Sequence, residues 1–415
     1  MRTEEIQEGR VSWARIGTAV CFLLTGFVSA SWASRVPAIK GGLDLGDGQF
    51  AIALLVLEAG AVGGLQLGGL MVPRTGSRLA LVVSLVAFSG ALLLPALAPG
   101  LPLLAAGLFV FAALNSVSDV AMNAQGVAVQ RLAGRPVLSG LHAMHSLGGV
   151  CGAGIGALTA RLGYTPSQHF LACAAGAVVA AVAAWPLLLP SRVDAEGEAS
   201  ADGAGGLRRW FGGWSTPVVL LGVLAFCFTL GEGAGLNWSA VYVADTLGGT
   251  EALGAIGLGV FLGAVTIGRL AGDRLVSRFG AVLVFRAGSL LAGLGFGGAL
   301  LLDTPVAGLA GLGLLGAGIA NALPLAIAAG GNSPDETPAT AAARVSTLGY
   351  LGSFAGPVLV GSLASVSSLP LALGVPALLL LATVFGAGAV RRAGRMSPWR
   401  AIGMTSDWRL RGTWS

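Results

Sequence analysis

Apolar stretches long enough to cross a bilayer recur along the whole chain, separated by short polar segments. A helix needs about 20 apolar residues to span a hydrocarbon core of about 30 Å, and each stretch is close to that length. The pattern therefore predicts twelve membrane-spanning helices, with a boundary error of about two to four residues. They are expected at residues 14–38, 49–72, 78–98, 103–130, 136–161, 167–190, 214–244, 251–273, 281–302, 305–330, 339–364 and 369–391.

The composition agrees with a membrane protein. The chain has 415 residues, of which 55% are hydrophobic and 10% are charged, and its mean hydropathy is +0.82. Soluble domains carry about 25% charged residues. The four cysteines lie in apolar stretches at unrelated spacings, which indicates neither a disulfide framework nor a zinc site. We therefore predict an all-α membrane protein made of transmembrane helices.

The positive charge of the chain predicts its orientation in the membrane and does not indicate a nucleic-acid partner. The net charge is +5, and Lys40 is the only lysine. Arginines cluster in alternate connections between the predicted helices, so the positive-inside rule places both termini and the central connection in the cytoplasm. The arginines that form this pattern are Arg10, Arg15, Arg74, Arg78, Arg131, Arg135, Arg192, Arg208, Arg209, Arg274, Arg278, Arg391, Arg392 and Arg395.

Landmarks of the first half recur in the second half at an offset of 204–206 residues. Four matches in the same order indicate duplication of a six-helix unit. We predict two pseudo-symmetric six-helix bundles, at residues 1–190 and 214–391, joined by a cytoplasmic linker at 191–213 and followed by a cytoplasmic tail at 392–415. The matches are Trp32 with Trp238, Arg74 and Gly76 with Arg278 and Gly280, Asn115 with Asn321, and Gly148 and Gly152 with Gly352 and Gly356.

A short loop with the sequence GLMVPRTGSR follows the second predicted helix at residues 69–78. With the twelve spans and the repeat, this loop makes the whole chain resemble the major facilitator superfamily of secondary transporters. The resemblance implies gating roles for Arg74, Gly76 and Arg78 and, through the repeat, for Arg278. Pro73 stands where the family's loop usually has an acid, so the family's usual charge relay is not implied.

Four further segments resemble a largely uncharacterised bacterial inner-membrane branch that is distantly similar to fucose–proton symporters. In those symporters an acid on the fourth span serves proton and substrate binding, and Asp119 occupies the matching place. Their second acid, on the first span, has no counterpart here, where Trp32, Ser34 and Arg35 lie instead, so sugar specificity is not implied. The segments are SWASRVPAIK, SDVAMNAQGVAVQ, RPVLSGLHAMHSLGG and GEGAGLNWSAVYVADTLG.

Two signatures of drug exporters are missing from the sequence. The fourth span has no arginine before Arg131, and Ala153 follows Gly152 where drug–proton antiporters have proline. The motif of two spaced glycines and a proline occurs instead at residues 352–357, in the eleventh span. These absences count against drug export without excluding it.

Asp119 is a strong candidate for function, because a charge within a span costs about 2.5–3.5 kcal/mol on insertion scales. Asn123 lies four residues later on the same helix face, and Asn115 lies one turn earlier. Desolvation disfavours the charged form of a carboxylate, as a proton-coupling site requires. Two interpretations remain: Asp119 couples transport to protons, or it forms a structural pair with a histidine or an arginine.

Glu232, near the middle of the seventh span, is the second candidate for proton coupling; the alternative is a hydrogen bond between helices at a glycine-rich bend. In the family that the chain resembles, spans 1, 4, 7 and 10 line a central cavity. We therefore expect substrate contacts from the polar side chains near this cavity: Arg35, Asn115, Asn123, His142, His145, Asn237 and Asn321. Trp32 and Trp238 would either stack on a solute or fill space where the two halves meet.

His142 and His145 share one face of the fifth span. They would serve as a proton relay to Asp119, since an unperturbed histidine titrates near 6.5, or as hydrogen-bond partners between helices. Arg269 and Asp273, four residues apart at the end of the eighth span, suit a gating salt bridge that breaks when the cavity opens inward.

The sequence contains no catalytic set of nucleophile and base, no metal-ligand cluster and no phosphate loop, so we expect no enzyme, no metal and no cofactor. We predict a proton-coupled secondary transporter that moves a small polar solute by alternating access, as a monomer in the bacterial cytoplasmic membrane. Its expected partners are the solute, protons and the lipid bilayer, with no nucleic acid. The alternatives are a proton-driven exporter of drugs or secondary metabolites and a transporter-like sensor. Amides favour the polar solute: Asn115, Asn123, Gln125, Asn237 and Asn321.

Overall fold

The computed structural model describes residues 2–134, 137–190, 214–332 and 338–395, and nearly all of them are helical. The apolar stretches of the first half form long helices separated by short breaks. These helices are α1 (Arg2–Ser34), α2 (Val36–Gly42), α3 (Asp47–Thr75), α4 (Ser77–Ala91), α5 (Leu93–Leu97), α6 (Leu101–Ala133), α7 (Leu138–Arg161) and α8 (Pro166–Ala184), with a 3-10 turn at Trp185–Leu187.

The second half has the same order of long helices. They are α9 (Thr216–Val241), α10 (Glu251–Phe279), α11 (Ala281–Leu290), α12 (Gly297–Ala299), α13 (Pro305–Ile319), α14 (Ala322–Gly331), α15 (Pro338–Ala364) and α16 (Leu369–Gly386). Two π-helical segments extend these spans, Tyr242–Thr246 after α9 and Leu291–Phe296 after α11, and a 3-10 segment, Ala387–Arg395, follows α16.

Eleven stretches of the described chain are long and apolar enough to cross a membrane. The remaining predicted span, the fifth, is α7, whose 24 residues extend for about 36 Å at 1.5 Å per residue. Its two histidines, His142 and His145, together with its many glycines, lower its hydropathy. The predicted all-α architecture is confirmed; most helix ends differ from the prediction by a few residues, but α1 already begins at Arg2.

The predicted division into domains stays a prediction. The linker at residues 191–213 and residues 396–415 of the predicted tail lie outside the described residues.

The internal repeat is visible where helices cross. Gly148 in α7 lies against the carbonyl oxygen of Leu23 in α1, and a Cβ at that position would collide with the oxygen. Gly352 in α15 lies in the same way against the carbonyl oxygen of Phe226 in α9. Glycine at a crossing lets two helix backbones approach closely. The glycines matched by the repeat therefore make equivalent contacts.

The turns after α3 and α10 are also equivalent. Gly76 has φ of 80° and Gly280 has φ of 81°, in the left-handed region that favours glycine. The Gly76 N–H donates to the Val72 carbonyl at 2.9 Å, and the Gly280 N–H donates to the Val276 carbonyl at 2.8 Å. The sequence predicts a loop at residues 69–78, but α3 remains helical until Thr75, so only Gly76 separates it from α4.

The two halves meet along two pairs of helices, α3 with α15 and α7 with α10. Large apolar side chains are exposed on the outside of the bundle, among them Leu301, Val366 and Phe385. Such a surface is expected where lipid takes the place of water.

Candidate functional site

Asp119 and Asn123 form the polar centre of α6. The Asn123 side-chain nitrogen Nδ2 donates to the backbone oxygen of Asp119 at 2.9 Å and to its carboxylate oxygen Oδ1 at 3.3 Å. Asn115, Asp119 and Asn123 are all half-buried. Among the described residues no basic side chain pairs with Asp119, so the structural pair with a histidine or an arginine is not formed there.

Glu232 in α9 pairs with Arg269 in α10. The distance from Arg269 Nη2 to Glu232 Oε1 is 2.8 Å, and the two side chains are 42% and 23% exposed, respectively. In this conformation Arg269 pairs with Glu232 and, among the described residues, not with Asp273; the gating bridge between Arg269 and Asp273 stays a prediction. Asp273 is exposed near the end of α10, where water can solvate it, whereas Glu232 meets Arg269 from the neighbouring helix.

The two histidines of α7 lie beside Arg269, although they belong to the other half of the molecule. The Arg269 guanidinium is close enough to act electrostatically on both imidazoles. The His142 ring also packs edge-on against Phe22, with ring centroids 5.1 Å apart and an interplanar angle of 80°. In the described part of the chain neither side chain hydrogen-bonds to Asp119, so a direct relay to that carboxylate is not formed.

Tyr350 in α15 is a site residue that the sequence analysis missed. It is 59% exposed and lies close enough to Asp119 and Glu232 for both carboxylates to act on its hydroxyl electrostatically. Asp119 and Glu232 therefore share one electrostatic neighbour on α15. We call the following residues the central polar cluster: Asn115, Asp119, Asn123, His142, His145, Glu232, Arg269 and Tyr350.

Both tryptophans predicted to contact a solute are buried. Trp238 is fully buried, donates from Nε1 to the Pro357 carbonyl at 3.0 Å, and packs edge-on against Phe50 of the first half at 5.5 Å. Trp32 is 4% exposed and lies 6.4 Å from the Phe111 ring. In this conformation Trp238 fills space where the two halves meet, which is the second of the two roles that the sequence left open, whereas Trp32 packs within the first half.

The predicted amides divide into two groups. Asn237 donates to the Gly233 carbonyl at 3.0 Å, and Asn321 donates to the Gly268 carbonyl at 2.9 Å; both are half-buried. Gln125, in contrast, is fully buried and donates to Ser77 Oγ at 2.8 Å and to the Leu189 carbonyl at 3.0 Å. Gln125 therefore holds helices together and does not add to a polar cavity.

Arg35 does not join the central polar cluster. It is 2% exposed, and its Nη2 donates to the Tyr164 carbonyl at 2.7 Å and lies 3.4 Å from Glu251 Oε2 at the start of α10. The substrate contact expected for Arg35 is replaced here by a bridge between the two halves.

Lys40 forms a second bridge at the same end of the bundle, which we call the α2 end. Its Nζ lies 3.1 Å from Asp47 Oδ1 and 3.2 Å from Asp245 Oδ2, and Asp245 belongs to the second half. Burial of the ammonium works against its charge, but the two carboxylates outweigh that effect and raise the pKa of Lys40. The two halves are therefore held together at the α2 end by charge.

Three of the arginines expected to act in gating lie at the opposite end of the bundle: Arg74, Arg78 and Arg278. Arg78 donates from Nε and Nη2 to the Trp185 carbonyl at 3.0 and 2.7 Å, and its guanidinium lies 4.5 Å from the centre of the Trp185 ring. The Arg278 guanidinium lies 5.3 Å from the Phe279 ring, and Arg74 is exposed at the end of α3. Their gating roles stay predictions.

Comparison with known proteins identifies the family. A family model described as Major Facilitator Superfamily matches residues 16–357, which is the larger part of the chain. The chain belongs to the major facilitator superfamily. This major facilitator protein is 34% identical over 378 residues to an uncharacterized MFS-type transporter of Yersinia pestis, covering 91% of the chain and 96% of that relative. It is 28% identical over 360 residues to membrane protein MosC of Rhizobium meliloti, covering 86% and 85%, respectively.

Solved structures share the fold. The nucleoside transporter NupG matches this major facilitator protein with a TM-score of 0.68 and 13% identity, over 91% of the chain and 98% of the solved one. A bacterial homolog of the human lysosomal transporter Spinster, in an inward-facing and unoccupied conformation, matches with a TM-score of 0.70 and 13% identity, over 94% and 99%. The protein is a multi-span membrane protein of a transporter family, as the sequence predicts.

Proposed function

We propose that this protein couples the movement of a small polar solute to protons, by alternating access and through Asp119. One observation carries the proposal. The central polar cluster contains two carboxylates, and within the described residues Glu232 has a cationic partner whereas Asp119 has only the amide of Asn123. The charge of Glu232 is balanced by Arg269, so Asp119 gains more than Glu232 from taking up a proton.

The physical reason is the cost of an unpaired charge in a low-dielectric environment. That cost disfavours the ionised form of Asp119 and is removed when the carboxylate is protonated. A carrier that must reorient within the membrane therefore does so more readily with Asp119 neutral. Each proton that enters supplies about 2.3 kcal/mol per 100 mV of membrane potential.

The proposed conformation is inward-facing. The halves are bridged at the α2 end by Lys40 with Asp245 and by Arg35 with Glu251. Tyr350 and Arg269 of the central polar cluster are accessible, at 59% and 42% exposure. The arginine distribution supports an orientation with the α2 end outside and both termini in the cytoplasm of a bacterial inner membrane.

The central polar cluster suits a polar solute better than a lipophilic cation. Besides the carboxylates and Arg269, the cluster contains two asparagines, one tyrosine and two histidines. Their side chains can donate or accept hydrogen bonds. An exporter of lipophilic cations needs aromatic walls, but both Trp32 and Trp238 are buried. The export alternative is therefore the weaker one in this conformation.

The test begins with a thermal-stability screen of the purified protein at pH 6 and pH 8, comparing sugars and sugar acids with lipophilic cations. A ligand that binds only the folded protein raises its melting temperature. The best ligand is then used for uptake into proteoliposomes with an imposed proton gradient. We expect Asp119→Asn to abolish gradient-driven accumulation while exchange of bound solute remains measurable.

Glu58→Gln is the matched control, because Glu58 is a half-buried carboxylate near the middle of α3 that forms no ion pair among the described residues. We expect Glu58→Gln to keep gradient-driven uptake. Unchanged uptake in Asp119→Asn would remove the coupling role of Asp119, and loss in Glu58→Gln alone would transfer that role to α3. Stabilisation by lipophilic cations alone would favour the exporter.

A further inference from the structure

A second cavity, of about 410 Å³, lies where α10 ends and α11 begins. Its volume falls within the range of about 300–1,000 Å³ that is usual for ligand sites. It shares no residue with the central polar cluster. Its walls are formed by residues of the α10–α11 turn, of α11 and of the segment after α16: Phe279, Gly280, Ala281, Val282, Leu283, Arg286 and Arg391.

The charge of this cavity is entirely positive. Arg286 and Arg391 both line it, no acidic residue does, and in the described part of the chain no carboxylate pairs with either guanidinium. Two like charges on one small cavity repel each other, and an anion between them would relieve the repulsion. A guanidinium presents a planar fork of N–H donors that matches phosphate oxygens.

The remaining walls are apolar and face the membrane. Phe279, the last residue of α10, is 50% exposed, and Leu283 is 55% exposed on α11, which starts the next membrane-spanning stretch at Ala281. Arg286 lies five residues into that stretch, about 7 Å from its end at 1.5 Å per residue. At that depth a long arginine side chain can keep its apolar stem among lipid chains and place its guanidinium at the level of lipid head groups.

We propose that this cavity binds an anionic phospholipid, with its phosphate between Arg286 and Arg391 and an acyl chain against Phe279 and Leu283. A free phosphate ion would use the two guanidiniums but would leave the apolar walls without a partner. A lipid uses both parts of the cavity. The inference concerns a different site from the proton-coupling proposal and stands independently of it.

The experiment measures lipid binding to the purified full chain. The protein is titrated in detergent with phosphatidylglycerol or with phosphatidylcholine of the same acyl chains, and bound lipid is counted by native mass spectrometry. We expect phosphatidylglycerol to bind more tightly, and the double variant Arg286→Gln/Arg391→Gln to weaken its binding about 30-fold, at roughly 1 kcal/mol per arginine near an anionic surface. Binding of phosphatidylcholine should not change.

Arg274→Gln is the matched control, because Arg274 lies at the same end of α10 but does not line the cavity. It should bind phosphatidylglycerol as the unaltered protein does. Arg391→Gln alone should lose an intermediate part of the affinity, and this single variant replaces the double variant if the latter folds poorly. Equal binding of phosphatidylglycerol by the control and the double variant would contradict the proposal. Displacement of the lipid by millimolar inorganic phosphate would identify the occupant as a soluble anion and would also overturn it.

Discussion

Arg269 lies close to charged or titratable groups from both halves of the molecule. Which carboxylate pairs with it determines the charge balance of the central polar cluster. It pairs with Glu232 on the neighbouring helix while its guanidinium also acts on the two histidines of α7. The sequence favours Asp273, because four residues on a helix place two side chains on one face. Solvation of Asp273 at the helix end removes the advantage of that local pair.

We expect Arg269 to be energetically coupled to Glu232 and not to Asp273. The pair is partly exposed, so its coupling energy should lie at about 0.2–1 kcal/mol and not at the 3–5 kcal/mol lost when one partner of a fully buried pair is removed. Double-mutant cycles with Arg269→Gln, Glu232→Gln and Asp273→Asn, based on unfolding free energies in mixed micelles, measure both couplings. A larger coupling for Asp273 than for Glu232 would show that the pairing described above does not persist in solution.

How well a site residue could be predicted depended on how far along the chain its partner lies. Asp119 and Asn123 are four residues apart, so their hydrogen bond follows from helix geometry. Tyr350 joins the cluster from a helix more than two hundred positions later, and no pattern within α15 distinguishes it. Arg35 was expected at the cavity, but its partner Glu251 lies in the other half.

Helices of this protein approach one another through glycines that face carbonyl oxygens. The contact of Gly148 with Leu23 leaves no room for a side chain, and the obstacle is backbone, which cannot rotate away. Gly154, on the same helix, is exposed, and a Cβ there would meet nothing within 4 Å. The abundance of glycine in the sequence indicated close packing but did not tell these two kinds of position apart.

Gly148→Ala should destabilise the protein by about 1–3 kcal/mol, the usual cost of overpacking. Gly154→Ala should be neutral or stabilising, because alanine favours a helix over glycine by about 1 kcal/mol. Gly352→Ala should behave like Gly148→Ala, since the repeat places Gly352 against Phe226 in the same way. Unfolding free energies in detergent would show this order, and equal effects at Gly148 and Gly154 would contradict the crossing geometry.

At the scale of elements, hydropathy predicted which stretches are helical but not where a helix is interrupted. The tenth span was expected as one helix, yet α13 ends at Ile319 and α14 begins at Ala322, with Asn321 between them. The Asn321 side chain bonds to the Gly268 carbonyl of α10, so the break is tied to a tertiary contact. Such a contact leaves no mark in the average polarity of the segment.

The whole molecule is closed at the α2 end by two bridges between its halves. The pKa of Lys40 is raised above the ordinary value of 10.5, so its stabilising charge is fully present below pH 10.5 and is lost only as pH rises through the higher, folded-state value. Protonation of Lys40 therefore does not change between pH 6 and pH 8. Any pH dependence of transport in that window must therefore come from groups other than Lys40.

Closure at the α2 end can be locked covalently. A Cβ on Gly48 would lie 2.8 Å from the Ser365 Cβ of the other half, so Gly48→Cys/Ser365→Cys should form a disulfide after a small adjustment. With Cys151, the exposed native cysteine, replaced by alanine, oxidation should stop transport and a reducing agent should restore it. The rate of cross-linking rises with pH because the thiolate is the reacting form, but the fraction cross-linked at the end point should be equal at pH 6 and pH 8.

Lys40→Met should lower the cross-linked fraction in this background, because a partly exposed ion pair is worth up to about 1 kcal/mol, or about a fivefold change in the closed population. Asp44→Asn is the control, since Asp44 is exposed nearby and forms no ion pair among the described residues. Full transport by completely cross-linked protein would contradict alternating access at this end.

The low hydropathy of α7 has a consequence for the synthesis of the protein. A helix with two histidines and many glycines partitions weakly from the translocation channel into lipid, because insertion depends on summed apolar character. α1 has already been made when α7 emerges from the ribosome, and the glycines of α7 fit its backbone closely. We therefore expect α7 to pack against α1 during insertion, so the surface that packs the mature bundle also serves as an acceptor for a helix of low hydropathy.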